Sequence, residues 1–132
     1  MSGPPAARLG DKIVGVDIHI VMVPNPGGEA PVPLPHPFNG IIDGGVSSNV
    51  MIGGAPAATV GSTATNTPSH IAQGTRFVVQ PTNKATIVKG SGTVLINNKP
   101  AARAGDSALT CNDPAPLPNG SVVAIGTVLI GG

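Results

Sequence analysis

Four side chains in this 132-residue chain are of the kinds that grip a transition metal: His19, His36, His70 and Cys111. They are its only histidines and its only cysteine. His19 lies nine residues after Gly10 and His70 nine residues after Gly61, while Cys111 follows Gly105 by six. His36, inside Pro33-Leu34-Pro35-His36-Pro37-Phe38, stands outside that spacing. Three imidazoles and one thiolate form a closed tetrahedral set for Zn²⁺ with no open position, as in structural rather than catalytic zinc sites. Each residue alone has a plainer reading: a loop histidine is ordinarily a polar surface group, and a lone cysteine a small buried hydrophobe. No local pattern of the CxxC kind is present, so the metal reading rests on the shared offset.

That offset is counted from a phrase that occurs three times. The copies are Pro5-Ala6-Ala7-Arg8-Leu9-Gly10-Asp11, Pro56-Ala57-Ala58-Thr59-Val60-Gly61-Ser62 and Pro100-Ala101-Ala102-Arg103-Ala104-Gly105-Asp106. Val50-Met51-Ile52-Gly53-Gly54 precedes the second and Val94-Leu95-Ile96-Asn97-Asn98 the third. Apolar residues before a Gly-Gly or Asn-Asn pair signal a hairpin, because such turns need positive φ. The first copy has no strand before it, yet Thr127-Val128-Leu129-Ile130-Gly131-Gly132 matches Thr93-Val94-Leu95-Ile96-Asn97-Asn98. The C-terminal strand is therefore expected to pair with the N-terminal one, closing three hairpins into a ring rather than an open array. A body with such threefold pseudosymmetry suits a partner that has a true threefold axis.

Composition agrees. The chain holds 19 Gly and 15 Pro, which read as punctuation between short strands. A charged fraction of 10 % and an apolar fraction of 40 % argue against disorder. So do strand-like runs at Ile13-Val14, Phe77-Val78-Val79, Ala85-Thr86-Ile87-Val88 and Ser121-Val122-Val123-Ala124-Ile125. No helical period is sustained. With two Phe, no Trp and no Tyr, the core falls to Val, Ile, Ala and Pro, which suits a narrow object better than an aromatic-walled ligand cavity. Such a thin body calls for a staple; one cysteine excludes an internal disulfide, and a metal remains. The length predicts a single domain, residues 1–132. Near +1, the net charge points away from nucleic acid and acidic lipid.

Proline-Ala-Ala-Arg followed by Gly-Asp, with further Pro-Ala-Ala copies, resembles the PAAR-repeat proteins, and the likeness runs over the whole chain. The resemblance implies a small cone of β-strands with zinc near its vertex, held here by His19, His36, His70 and Cys111. It implies a structural tip that caps the trimeric VgrG-type spike of a contractile injection machine, chiefly type VI secretion. The tip helps to pierce the target envelope and touches the target membrane only mechanically. Two departures stand out: Thr59 and Ser62 replace Arg and Asp in the second copy, and the Pro24–Pro37 stretch is longer and richer in proline than the bare repeat. Many relatives are fused to toxin or adaptor domains; ending after its last strand, this chain resembles the stand-alone form, which leaves effector cargo to a separate protein.

No catalytic residue is expected. Asp106, Ser107 and His70 make a triad only on paper, with no GxSxG-type elbow, and Asp11, Asp17, Asp43 and Asp106 are scattered. Asp11 and Asp106 read as turn-holding groups beside their glycines. Arg8 and Arg103 read either as structural hydrogen-bond donors or as contacts to the partner. The alternatives are a small zinc hydrolase, which needs a metal-bound water and thus only three protein ligands, and a fragment of a β-solenoid adhesin. Neither a signal peptide nor a run of about 18 apolar residues is present, so synthesis in the cytoplasm and export on the machine itself are expected. The reducing cytoplasm leaves the single thiol to metal. A free monomer prone to aggregate through the apolar base of the cone is expected, relieved by the spike.

Overall fold

The computed structural model describes residues 3–132. It contains only β structure among those residues. Strands β1 (Lys12–Asn25) and β2 (Gly28–Gly44) form a long hairpin, followed by β3 (Met51–Ile52), β4 (Ala55–Pro56) and β5 (Thr63–Asn66). Then come β6 (Arg76–Phe77), β7 (Lys84–Ile87), β8 (Leu95–Ile96), β9 (Lys99–Pro100), β10 (Ser107–Thr110) and β11 (Leu117–Val123). Six of these close on themselves in the order β1-β2-β5-β7-β10-β11, every pairing antiparallel, with β11 returning to β1. Strand β6 adds to the far part of β1 at Val21 and Met22. Closure leaves the ring itself without edges.

Below the ring lie the three phrases, and their backbone bonds repeat by threes. The amide of Ala7 donates to Ala102 O, that of Ala58 to Ala7 O and that of Ala102 to Ala58 O, at 2.9, 3.0 and 3.0 Å. Each phrase then turns: the amides of Asp11, Ser62 and Asp106 donate to the carbonyls of Arg8, Thr59 and Arg103. The third residue of each turn is Gly10, Gly61 or Gly105, at φ 93°, 97° and 89°, where only glycine is unstrained. A side-chain oxygen of Asp11, Ser62 or Asp106 accepts the amide of the residue three before it, at 3.0, 3.0 and 2.8 Å. Serine makes this bond as well as aspartate, so the second copy keeps its turn without the acid. The acids therefore do hold their turns, as expected of Asp11 and Asp106.

The expected hairpins are present. Gly53, Gly54, Asn97 and Asn98 sit at φ 56°, 88°, 52° and 65° and join β3 to β4 and β8 to β9. The third hairpin is made by the two ends of the chain: Pro5 bridges Leu129, the Ala6 amide donates to Val128 O at 2.8 Å, and the Ile130 amide to Pro4 O at 3.0 Å. Ile52, Ile96 and Ile130 turn inward onto Ala6, Ala57 and Ala101 in one buried layer. Ala7, Ala58 and Ala102 begin a second, which continues through Ile13, Ile42, Ile87 and Val122 inside the ring. Small side chains at the axis let three backbones approach closely enough to bond to one another.

The Pro24–Pro37 stretch forms the outer half of the β1–β2 hairpin, with Val21 opposite Val32 and Asn25 opposite Gly28. Prolines within a strand normally argue against it, but Pro31, Pro33, Pro35 and Pro37 all fall at alternate positions, opposite Met22, Ile20, Ile18 and Val16. The amides of Ile18 and Ile20 point away from β2, toward Asn112 and Asp113, so these are positions where the two strands exchange no hydrogen bond. The prolines thus blank the donors of the free β2 edge and leave the β1 side intact. A long exposed edge is thereby denied to strand addition.

Candidate metal centre

Strand β1 carries its polar residues inward. Ile13, Asp17, His19 and Val21 are buried, while Val14, Val16 and Ile18 on the opposite face are 37 %, 52 % and 37 % exposed. Asp17 and His19 are two residues apart and so share the inner face. His70 arrives from the segment between β5 and β6, its side chain 3 % exposed, and Cys111 from the residue after β10, also buried. Ligand atoms of Asp17, His19, His70 and Cys111 all lie within 4.8 Å of one another. Asp17 Oδ2 is 3.0 Å from His70 Nε2, 3.3 Å from Cys111 Sγ and 3.7 Å from His19 Nε2, and Cys111 Sγ is 3.8 Å from His19 Nε2.

His36 is buried beside this group, on β2 opposite Asp17. Its ring centre lies 5.4 Å from that of His19 and 5.7 Å from that of His70, whereas His19 and His70 are 4.8 Å apart. Its Nδ1 is 2.9 Å from Leu34 O, and its Nε2 accepts the Gln73 amide at 3.3 Å. His36 and His70 also border a cleft of about 270 Å³ that Asn39, Asn66 and Gln73 help to line. Three of the four expected donors thus converge with an acid absent from the expected set, and the fourth stands next to them.

Neighbouring groups orient the donors. Asp113 Oδ2 lies 3.3 Å from His19 Nδ1 and accepts the Ile20 amide at 3.0 Å, which turns His19 Nε2 toward the cluster. Asn112 Oδ1 accepts the Ile18 amide at 2.7 Å, tying the segment after Cys111 along β1 without strand pairing. Asn83 Oδ1 accepts the His70 amide at 2.8 Å and Asn66 Nδ2 at 3.1 Å. The Thr110 hydroxyl donates to Asp17 Oδ1. Both phenylalanines of the chain stand against the imidazoles: Phe77 lies 5.7 and 5.4 Å from His19 and His36, and Phe38 6.1 Å from His70. Burial, then the negative charge of Asp17 and the hydrogen bond to it, push the Cys111 thiol up to about 11.

Two imidazoles, a thiol and a carboxylate, buried together with His19 Nδ1 held by Asp113 and Asp17 Oδ1 by Thr110, form a group that can hold a metal ion. The paper triad is not assembled: Asp106 receives the Arg103 guanidinium at 3.1 and 3.2 Å, and His70 faces Asp17 instead. Arg8 and Arg103 act on the fold, donating to the turn carbonyls of Ile52 and Gly53 and of Gly131. No helix among the described residues is long and apolar enough to cross a membrane.

No curated protein matches the chain. A family model described as PAAR motif does, over residues 35–107 and again over 79–132. The matched part begins after the first phrase, yet the cyclic bonds through Ala7, Ala58 and Ala102 make that phrase the equal of the other two. The family is structural rather than enzymatic and has a spike-tip role in type VI-like systems. With three phrases closed about one axis and the match covering well over half its length, the chain belongs to the PAAR motif family.

Proposed function

We propose that this protein is the tip of an injection spike: one domain, a zinc-stapled cone that caps a trimeric VgrG-type protein through its phrase end and leads it through the target envelope. The carrying observation is the platform of three equivalent hairpins. Met51, Leu95 and Leu129 hold the same place in each and are 57 %, 60 % and 38 % exposed, so one apolar side chain is offered at each third of a turn. Repeated exposed apolar groups favour association, and their symmetry matches a homotrimer. Zinc would be held by His19, His70 and Cys111 with one further donor, His36 or Asp17. When bound it crosslinks β1 to the segments after β5 and β10, adding to the hydrogen bonds that already join them to β1, and contributes on the order of ten kcal/mol as structural zinc does in small domains. Synthesis in the cytoplasm and export on the spike complete this reading.

The test is sedimentation of the purified protein alone and with a trimeric spike, with metal content measured on the same sample. Expected are a monomer that aggregates when free, one zinc per chain, and one chain per spike trimer. Met51→Asp, Leu95→Asp and Leu129→Asp together should abolish the complex without removing zinc. Unchanged spike binding by that triple variant would sink the docking assignment.

A further inference from the structure

We propose that the outer face of the β1–β2 hairpin is a lipid-contacting surface that lies against the acyl chains of a bilayer; this goes beyond the spike reading and does not depend on it. The hairpin reverses the side-chain order of a water-soluble one. Asp17, His19 and His36 point inward and are buried, whereas Val16, Ile18, Ile20 and Met22 point outward, each opposite a proline of β2, from Pro37 to Pro31. Apolar side chains outside and polar ones inside is the alternation of strands that meet hydrocarbon. It is confined to this hairpin, since β5 and β7 present Thr63, Thr65, Lys84 and Thr86 outward.

Length and charge fit the same occupant. From Val14 to Met22, β1 rises about 27 Å at about 3.4 Å per residue, close to the depth of a bilayer's hydrocarbon layer. Charge stands only at the two ends of this face: Lys12 and Asp43 at the ring, and Glu29 with Arg76, 3.6 Å apart, toward the turn. Each end carries both signs, as zwitterionic headgroups do, and the outward positions between them carry none. The free edge of β2 has no donor to strand in hydrocarbon. Pro31, Pro33, Pro35 and Pro37 lack an N–H, and the next edge amide, that of Asn39, donates to Asn66 Oδ1 at 2.8 Å. The same prolines refuse an added strand, so a protein partner gains nothing from this edge, while lipid asks nothing of it.

Flotation of the full chain with vesicles of neutral phosphatidylcholine tests this. The wild type should rise with the vesicles at low and high salt alike, because apolar surface and not headgroup charge holds it. Val16→Glu together with Ile18→Glu should lower the partition coefficient at least about tenfold. The chain has no tryptophan, so Val16→Trp reports on one place. Its emission should be quenched by phosphatidylcholine brominated on the acyl chains, and that of Lys84→Trp should not. This pair decides the matter even where the double glutamate variant fails to fold. A wild type that stays in the aqueous layer, a folded double variant that floats as well, or equal quenching at both positions would overturn the assignment. So would a double variant that loses a dimer and keeps its flotation, which would give the face to a second copy of the chain. Every sample lacks the spike, so failure here leaves the docking assignment standing.

Discussion

The amide of Ala7 donates to the carbonyl of Ala102 at 2.9 Å, joining the first phrase of the chain to the last. Together with Ala58 these residues bond in a cycle, and none of their surfaces is exposed. A methyl group is the largest substituent the crossing admits. Ala7→Val, Ala58→Val and Ala102→Val should each destabilise by about 1–3 kcal/mol through overpacking, and by similar amounts because the three sites are equivalent. Urea unfolding would show three lowered midpoints with an unchanged slope. A wild-type midpoint in any one of them would contradict the cyclic packing.

Deleting residues 127–132 should do far more damage than trimming a terminus ordinarily does. The segment supplies Ile130 to the axis layer, pairs Leu129 with Pro5, and offers Gly131 O to Ser91 and Arg103. Its loss opens the third hairpin and exposes the layer beneath. Amide exchange and circular dichroism should show loss of cooperative unfolding and of protection at Ala6 and Ala58. A truncated chain that keeps both would refute ring closure by the termini.

The hairpins at Gly53-Gly54 and Asn97-Asn98 and the pairing of the ends were readable because turn chemistry and a repeated strand are local signals. The convergence of His19 and His70 followed from their shared nine-residue offset past the phrase, and that of Cys111 from its place six residues past the third copy. Asp17 was not readable, since no acid recurs at the matching place in the other two units and only the inward face of β1 gives it meaning. The outer length of β2 was hidden because its prolines count against a strand until the register shows that their missing donors face a free edge. Asn112 and Asp113 bind the β1 backbone through side chains, a contact with no period in sequence.

Thr59 stands where Arg8 and Arg103 stand in the other phrases. Arg8 Nη1 reaches Ile52 O and Gly53 O at 3.1 and 2.9 Å, and Arg103 Nη1 reaches Gly131 O at 3.3 Å. Beside Thr59, a cleft of about 320 Å³ lined by Ser47, Ile96, Asn97 and Lys99 occupies the third place. Thr59→Arg should fill it and bond the matching turn, raising stability by about 1 kcal/mol and the melting temperature by a few degrees. Ser62→Asp should destabilise, because the Ser62 hydroxyl donates to Gly45 O at 2.9 Å and a carboxylate cannot. Thermal melts of the two single variants moving in the same direction would contradict this account.

Cys111 links the centre to pH. Its thiol is pushed from an ordinary value near 9 up to about 11, first by burial and then by Asp17, so the metal-free fold holds a proton that the unfolded chain has released. Stability from this group is complete below about pH 9 and is lost as pH rises toward 11. Zinc replaces that proton, so the loaded protein should not show the loss, and uptake near neutral pH should release protons and strengthen as pH increases. Chemical denaturation of metal-free and zinc-loaded protein at pH 8 and pH 10.5, with Cys111→Ser as the reference, measures it. The metal-free wild type should weaken between the two and the serine variant should not; equal losses in both would place the pH effect elsewhere in the molecule.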